Sequence, residues 1–306
     1  MATTSRVIAL SDLDAVCVLA NRSLLQWQVT ALERMVEETG VDIPLVVVNE
    51  VTDVDHPGFS EGASPLGEQA TRDATTVGVD DLRLFYQVLQ REGLWAVVLS
   101  ERKLAWLLGI AEPGRSQRRP LDDVAVLEDA ERVHCEPVPV DGSWCDLPTA
   151  VVDRIADETD VAVRFGFSLL TGSVLTAPAH GVLSFHPADI RRYRGLGPPQ
   201  PFANGDERAG ATLQRLTDKL DGGEVVAIES VDVTDAATLD EIYERVHEVQ
   251  SHMLARGIER LRDPEFEPSP PASLGEYTPV TRRQDPAFAG KILAKNLRGR
   301  VSDLVG

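Results

Sequence analysis

A chain of 306 residues with 43% hydrophobic content can fill one large core. It holds no apolar run long enough to span a bilayer, and Met1 to Arg6 lack the apolar stretch of a secretory signal, so the expectation is a cytoplasmic protein with no membrane contact. A net charge of −19 argues against binding a phosphate backbone, and Cys17, Cys135 and Cys145 are too few and too scattered for a disulfide framework or a CxxC metal site. Lysine stands only at 103, 219, 291 and 295 while acids run along the whole chain, the pattern of a surface kept soluble in a salt-loaded cytoplasm. That origin weakens the case against an RNA partner without removing it.

Asp14 to Leu19 reads as a short apolar strand, and Ser23 with Gln26 forms a capping box for a helix whose Leu25, Val29, Leu32 and Val36 share one face. Gly40 ends it, and the β-branched run from Ile43 is a strand buried on both faces of a parallel sheet. From Thr52 to Val79 the chain turns polar, acidic and rich in Gly, Ser and Thr, which marks an exposed excursion. Asp80 then caps a helix through Leu82, Phe85 and Leu89, and "LWAVVL" and "DDVAVLED" are short enough to be strands, with Arg115 to Pro120 a basic, solvated turn between them.

Leu147 to Glu158 is a helix with Val151, Val152 and Ile155 inward, followed by a strand from Asp160 to Phe167, a short helix through Leu169 and Val174, and a strand from Gly181 to His186. This alternation predicts an α/β fold: a Rossmann-like, doubly wound and mostly parallel sheet. "AGATLQRL" and "EVVAIESVDV" are two more strands, flanking Asp221, Gly222 and Gly223. Thr238 with Glu241 opens a long helix with Leu239, Ile242, Val246, Val249 and Met253 on one face, and a Pro-rich linker and a locally basic tail helix close the sequence. The expected division is a Rossmann domain over 1–233 and a helix, linker and tail helix over 234–306.

His186 ends a strand, Pro187 stops it, and the carboxyl end of a strand is where an open α/β sheet binds ligands. A histidine so placed is more often structural than catalytic, and "LDGG" taken alone is a hairpin turn. Paired glycines after Asp221 let backbone and ligand approach closely and permit a positive φ. The order is more specific than its parts. A strand ending in His-Pro, the Arg-Tyr-Arg-Gly loop at 192–195, the Asn204-Gly205-Asp206 turn and the Leu-Asp-Gly-Gly loop at 220–223 together resemble the folate-dependent formyltransferase family, which includes methionyl-tRNA, glycinamide ribonucleotide and nucleotide-sugar formyltransferases. The resemblance runs from about Asp160 to Val233 and includes the "DVAVRFGFSLLTGSVLTAPAHG" segment before the catalytic strand.

That resemblance implies 10-formyltetrahydrofolate as formyl donor, no metal, and a catalytic group of Asn, His and Asp. His186 takes the His position and Asp221 the Asp position, while the Asn position falls on Ser184, a departure from the pattern. Folate is expected along Phe167, Ser168 and Leu170 and along Thr217, Leu220 and Gly222, where similar enzymes bind the pterin through backbone groups. Phe165, Phe167 and Phe185 are more readily core than stacking platform. Arg191, Arg192 and Arg194 could meet a phosphate or carboxylate of the acceptor or of the folate tail, with a solvated loop the alternative for at least one. The expected reaction is formyl transfer to a primary amine of a small molecule, an amino-sugar nucleotide first and methionyl-tRNA second. The alternatives are a formyltetrahydrofolate hydrolase and a non-catalytic folate-binding protein. Ser184→Asn is expected to keep or raise activity, since it restores a missing oxyanion donor.

Overall fold

The structure is a computed structural model and describes residues 13–51, 89–90, 92–142 and 144–305. The excursion expected at 52–79 and most of the helix expected from Asp80 lie outside the described residues.

The chain opens with β1 (Ala15–Ala20), β2 (Ser23–Leu25), α1 (Gln26–Thr39) and β3 (Asp42–Asn49). Helix α1 begins later than the Ser23 capping box requires. Leu25 is its N-cap and its N–H donates to Gln28 Oε1 at 2.8 Å, while Ser23 is drawn into β2 and accepts from Arg118 at 3.1 Å. Gly40, at φ 68°, ends the helix as expected and donates to Val36 O at 2.9 Å.

The "LWAVVL" run is not a strand but the start of α2 (Trp95–Leu107). A short apolar run carries no period of its own, and here the helical spacing wins, burying Trp95, Ala96, Val98 and Ala105. The basic segment that follows is not a solvated turn. It forms a 3-10 turn at Gly114–Ser116 and then β4 (Arg118–Pro120), which pairs antiparallel with β2, and Arg115 pairs with Glu244 and Glu248. "DDVAVLED" is two 3-10 turns, Leu121–Asp123 and Ala125–Leu127, that bury Leu121, Val124 and Leu127. The strand of this region is the next segment, β5 (Glu131–Cys135), whose mixed composition suits a sheet edge.

The remaining elements are β6 (Val138–Asp141), β7 (Trp144–Asp146), α3 (Thr149–Glu158), β8 (Val161–Arg164), β9 (Leu169–Leu170), β10 (Val182–His186), β11 (Tyr193–Gly195), α4 (Pro199–Asn204), β12 (Arg208–Arg215), β13 (Glu224–Asp232), α5 (Leu239–Arg262), β14 (Glu276–Thr278) and α6 (Pro286–Val305). Strand β8 stops at Arg164, three residues before the expected end, and the short helix expected around Leu169 is strand β9 followed by a 3-10 turn at Gly172–Thr176.

Seven strands form the central sheet in the order β13-β12-β10-β8-β1-β3-β5. Strands β10, β8, β1, β3 and β5 pair in parallel, while β12 runs antiparallel to β10 and to β13. The order reverses beside β1, and there Asn21 Oδ1 accepts from Phe167 N at 3.3 Å and Asn49 Nδ2 at 3.2 Å, tying the ends of β1, β3 and β8. Helices α1 and α5 pack on one face, where Leu32, Met35, Ile242, Val246 and Met253 join Val16, Val18 and Val46 in one core. Helix α3 covers the other face, where Val151, Val152 and Ile155 meet Cys17, Leu19, Leu45 and Val47. The sheet is therefore doubly wound and mostly parallel, as the alternation predicts.

The capping of α5 also holds: Thr238 Oγ1 accepts from Glu241 N at 3.3 Å, and Glu241 Oε2 accepts from Ala237 N at 3.0 Å. The Pro-rich segment after α5 contributes β14, which pairs in parallel with β11, and Ala289 and Ile292 of α6 enter the first core. Asn296 of α6 is fully buried and accepts from Leu239 N at 2.8 Å. No helix among the described residues is long and apolar enough to cross a membrane.

Candidate active site

The register of three adjacent strands sets out the site. Arg164 of β8 lies opposite Ser184 of β10, and Ser184 lies opposite Gln214 of β12. These three side chains stand in one row on the α3 face of the sheet, and His186 shares that face one step further along β10, opposite Thr212. Thr212 Oγ1 donates to Ala188 O at 2.7 Å and accepts from Ile190 N at 3.2 Å, which fixes the path of the chain beyond His186.

Asp221 comes from the loop between β12 and β13. Gln214 Oε1 accepts from Gly223 N at 3.1 Å and so holds that loop against the row. The positive φ falls on Asp221 itself, at 43°, rather than on Gly222 or Gly223. The glycine at 223 is needed for close approach instead: a Cβ there would lie 2.4 Å from Arg215 O. Asp221 Oδ1 is 3.5 Å from His186 Nδ1, and Asp221 Oδ2 accepts from Gly195 N at 2.9 Å. His186 Nε2 is 3.1 Å from Tyr193 O. Both neighbours of the imidazole are acceptor oxygens. Next to it, burial and then the Asp206 carboxylate push the Tyr193 phenol up, so Tyr193 donates to Asp206 at 2.6 Å.

A cleft opens beside this row. Trp144, Leu169, Leu170, Phe185, Leu216 and Leu220 give it an apolar lining, and Arg164, Gln214, Thr217, Lys219 and Asp221 supply its polar groups. Trp144 enters because β7 pairs with β9 and sets it opposite Leu169, a contact that no sequence pattern announced.

The structure brings His186, Asp221 and Ser184 together, with Asp221 at the cleft and both His186 and Ser184 behind it, 1% and 0% exposed. Leu170, Thr217 and Leu220 line the cleft; Phe167 and Ser168 contribute carbonyls that accept from Arg164; Gly222 donates to Lys219 O at 3.2 Å within the loop. Phe165 and Phe185 stack on each other and meet the edge of Trp27, and Phe167 is buried in the α3-side core. The three loop arginines do not converge on the cleft. Arg191 pairs with Asp189, Arg192 with Asp206, and Arg194 donates to Gly275 O at 3.0 Å beneath the Tyr277 ring.

Arg164 joins this row from outside the motifs that carry the resemblance. Its Nε and Nη2 donate to Ser184 Oγ at 3.1 and 3.0 Å. The signal was in the sequence: a single cation closes the apolar run "DVAV", where a strand buried on both faces should carry none.

The His186 imidazole and the Arg164 guanidinium stand at the carboxyl ends of the parallel strands β10 and β8, and the Asp221 carboxylate of the β12–β13 loop meets the imidazole beside the cleft. Residues 148–258 match the family model described as formyl transferase. The methionyl-tRNA formyltransferase of Thermotoga maritima is 29% identical over 129 residues, 41% of this chain and 41% of that relative. That of Thermodesulfovibrio yellowstonii is 24% identical over 174 residues, 53% and 55% of the two chains. The chain thus spans about half or less of the length of these curated relatives. Among solved structures, a formyltetrahydrofolate deformylase from Pseudomonas syringae pv. tomato shares the fold, with a TM-score of 0.50 at 17% identity over 87% of this chain and 67% of that one.

Proposed function

We propose that this protein transfers a formyl group from 10-formyltetrahydrofolate to a primary amine of a small molecule, with an amino-sugar nucleotide as first candidate and methionyl-tRNA as second. The observation that carries the reading is the His186–Asp221 pair at the end of β10, 3.5 Å apart and inside the segment that matches the family model. An acceptor amine attacks the formyl carbon, charge develops on the formyl oxygen, and the amine must lose a proton as the folate nitrogen departs. Asp221 lies at the cleft and can take that proton through water. His186 sits behind Asp221 and orients the carboxylate. The apolar walls and the Thr217–Asp221 loop suit the pterin, and Lys219 at the same rim suits the glutamate carboxylates of folate.

The net charge of −19 favours a small acceptor over tRNA, because phosphate contacts need clustered cations, and each of the loop arginines already meets an acceptor of this chain. A second reading, hydrolysis with water as the acceptor, draws support from the fold shared with the deformylase. The test is incubation at high salt with 10-formyltetrahydrofolate and a panel of amines, following tetrahydrofolate release and the mass of the products. Formylated amine supports transfer, and folate-dependent formate release without any amine supports hydrolysis. Binding of 5-formyltetrahydrofolate with no turnover under either condition would leave a folate-binding protein, and no binding at all would refute the reading.

A further inference from the structure

We propose that Arg164 supplies the oxyanion-stabilising donor of this site, and that Ser184, which occupies the position of the family Asn, acts as the anchor of Arg164. The inference rests on the formyl-transfer reading above. Ser184 is wholly buried and His186 nearly so, and neither lines the cleft, whereas Arg164 and Asp221 both do. A ligand in the cleft therefore meets the guanidinium first, with the serine hydroxyl behind it.

The guanidinium is held from two sides. Its Nε and Nη2 both donate to Ser184 Oγ, at 3.1 and 3.0 Å, and its Nη1 donates to the carbonyls of Phe167 and Ser168. A hydroxyl has two acceptor sites, and Arg164 fills both. Phe167 holds φ at 57°, a conformation unusual for a bulky residue, which turns its carbonyl into this arrangement. The planar fork is thus fixed before any ligand arrives, which is the condition for a donor to stabilise developing charge without reorganising.

A small side chain at 184 is then a requirement. An Asn there has a longer arm, and it would occupy the volume of the guanidinium that sits on Ser184 Oγ. The exchange is reciprocal: the donor at this point is a cation from β8 where the family places an amide on β10. In the reaction, the amine lone pair forms the new N–C bond and the carbonyl pair moves onto the formyl oxygen, facing Arg164. The amine proton passes through water to Asp221. As the oxyanion collapses, the bond from carbon to the folate nitrogen breaks, and that nitrogen keeps the pair and receives the proton from Asp221.

The experiment compares the intact chain with Arg164→Met, Arg164→Lys, Ser184→Ala, Ser184→Asn and the double variant Ser184→Ala/Arg164→Met. It measures kcat and KM for 10-formyltetrahydrofolate and confirms folding by far-UV circular dichroism. Removing one oxyanion donor lowers kcat by about 10²- to 10³-fold, so Arg164→Met should fall by that factor while KM moves by no more than about threefold. Arg164→Lys keeps the charge without the fork and should fall only about tenfold. Ser184→Ala should also lose about tenfold, the double variant should be no slower than Arg164→Met, and Ser184→Asn should lose activity rather than gain it. If Arg164→Met does not fold, the Lys, Ala and Asn variants carry the test. Full kcat in Arg164→Met or Arg164→Lys, or a gain in Ser184→Asn, would overturn the assignment while leaving formyl transfer standing. An intact chain that turns over no formyl donor would overturn both.

Discussion

Gly195 joins the candidate site to the C-terminal segment, and replacing it with Ala perturbs both. Its φ of 86° lies in the region that favours glycine, and a Cβ there would sit 2.0 Å from Thr278 O and 3.2 Å from the Tyr277 ring. A non-glycine residue in left-handed conformation costs roughly 1–2 kcal/mol. The overlap forces β11 away from β14 where Leu196 N donates to Thr278 O at 3.0 Å, a bond worth about 1 kcal/mol. The same shift withdraws the Gly195 N–H from the Asp221 carboxylate, and hydrogen bonds to charged groups contribute about 1.5–3 kcal/mol. Taken together, Gly195→Ala should destabilise by about 4 kcal/mol. With an unfolding entropy of roughly 2 cal/mol/K per residue, that lowers Tm by about 6 °C in a chain of this size. Scanning fluorimetry reads the first effect. Formyl-transfer kinetics read the second, a fall in kcat of about tenfold as Asp221 loses its hold. A variant that melts within about 1 °C of the parent and turns over at the same rate would refute the reasoning.

Other substitutions test separate parts of the structure. Asp221→Asn keeps the shape, tolerates left-handed backbone and still accepts from Gly195, so it should fold normally while kcat drops about 10²- to 10⁴-fold; unchanged turnover would remove Asp221 from the proton path. Burial, with Arg102 and Arg115 nearby, pushes His247 down to about 3, where it stacks on Trp27. Its folded value lies below the unfolded 6.5, so its share of stability is present above pH 6.5 and is lost as pH falls towards 3, amounting to roughly 5 kcal/mol. His247→Phe should therefore lose less stability than the parent between pH 6.5 and 4 in parallel urea titrations, and identical acid limbs would contradict this. Burial raises the thiols of Cys17, Cys145 and Cys135, the last to about 11, so iodoacetamide at pH 8 should label none of them in the native protein and all three in urea; a rapidly labelled native thiol would show that burial fails at that site. Melting across a salt series tests the acidic surface, which should stabilise as salt rises.

The strands β1, β3, β8, β10, β12 and β13 and the helices α1, α3 and α5 were legible because each carries a period or a continuous β-branched run that burial demands. Where that signal was short or mixed, the reading failed. "LWAVVL" folds as a helix because its neighbours continue the helical spacing, and "ERVHC" is a strand that only an edge position permits. Pairings such as β11 with β14 join residues about 80 apart, and no local pattern encodes them.

For the candidate site, the sequence singled out His186 and Asp221 through a family resemblance carried by the order of short local motifs, and the structure sets the two side chains 3.5 Å apart. The tertiary structure decided what meets the Ser184 hydroxyl. Arg164 and Ser184 are 20 residues apart, and only the parallel register of β8 and β10 sets a guanidinium on the serine hydroxyl, since sheet register is fixed by burial across the whole strand rather than by the residues that meet.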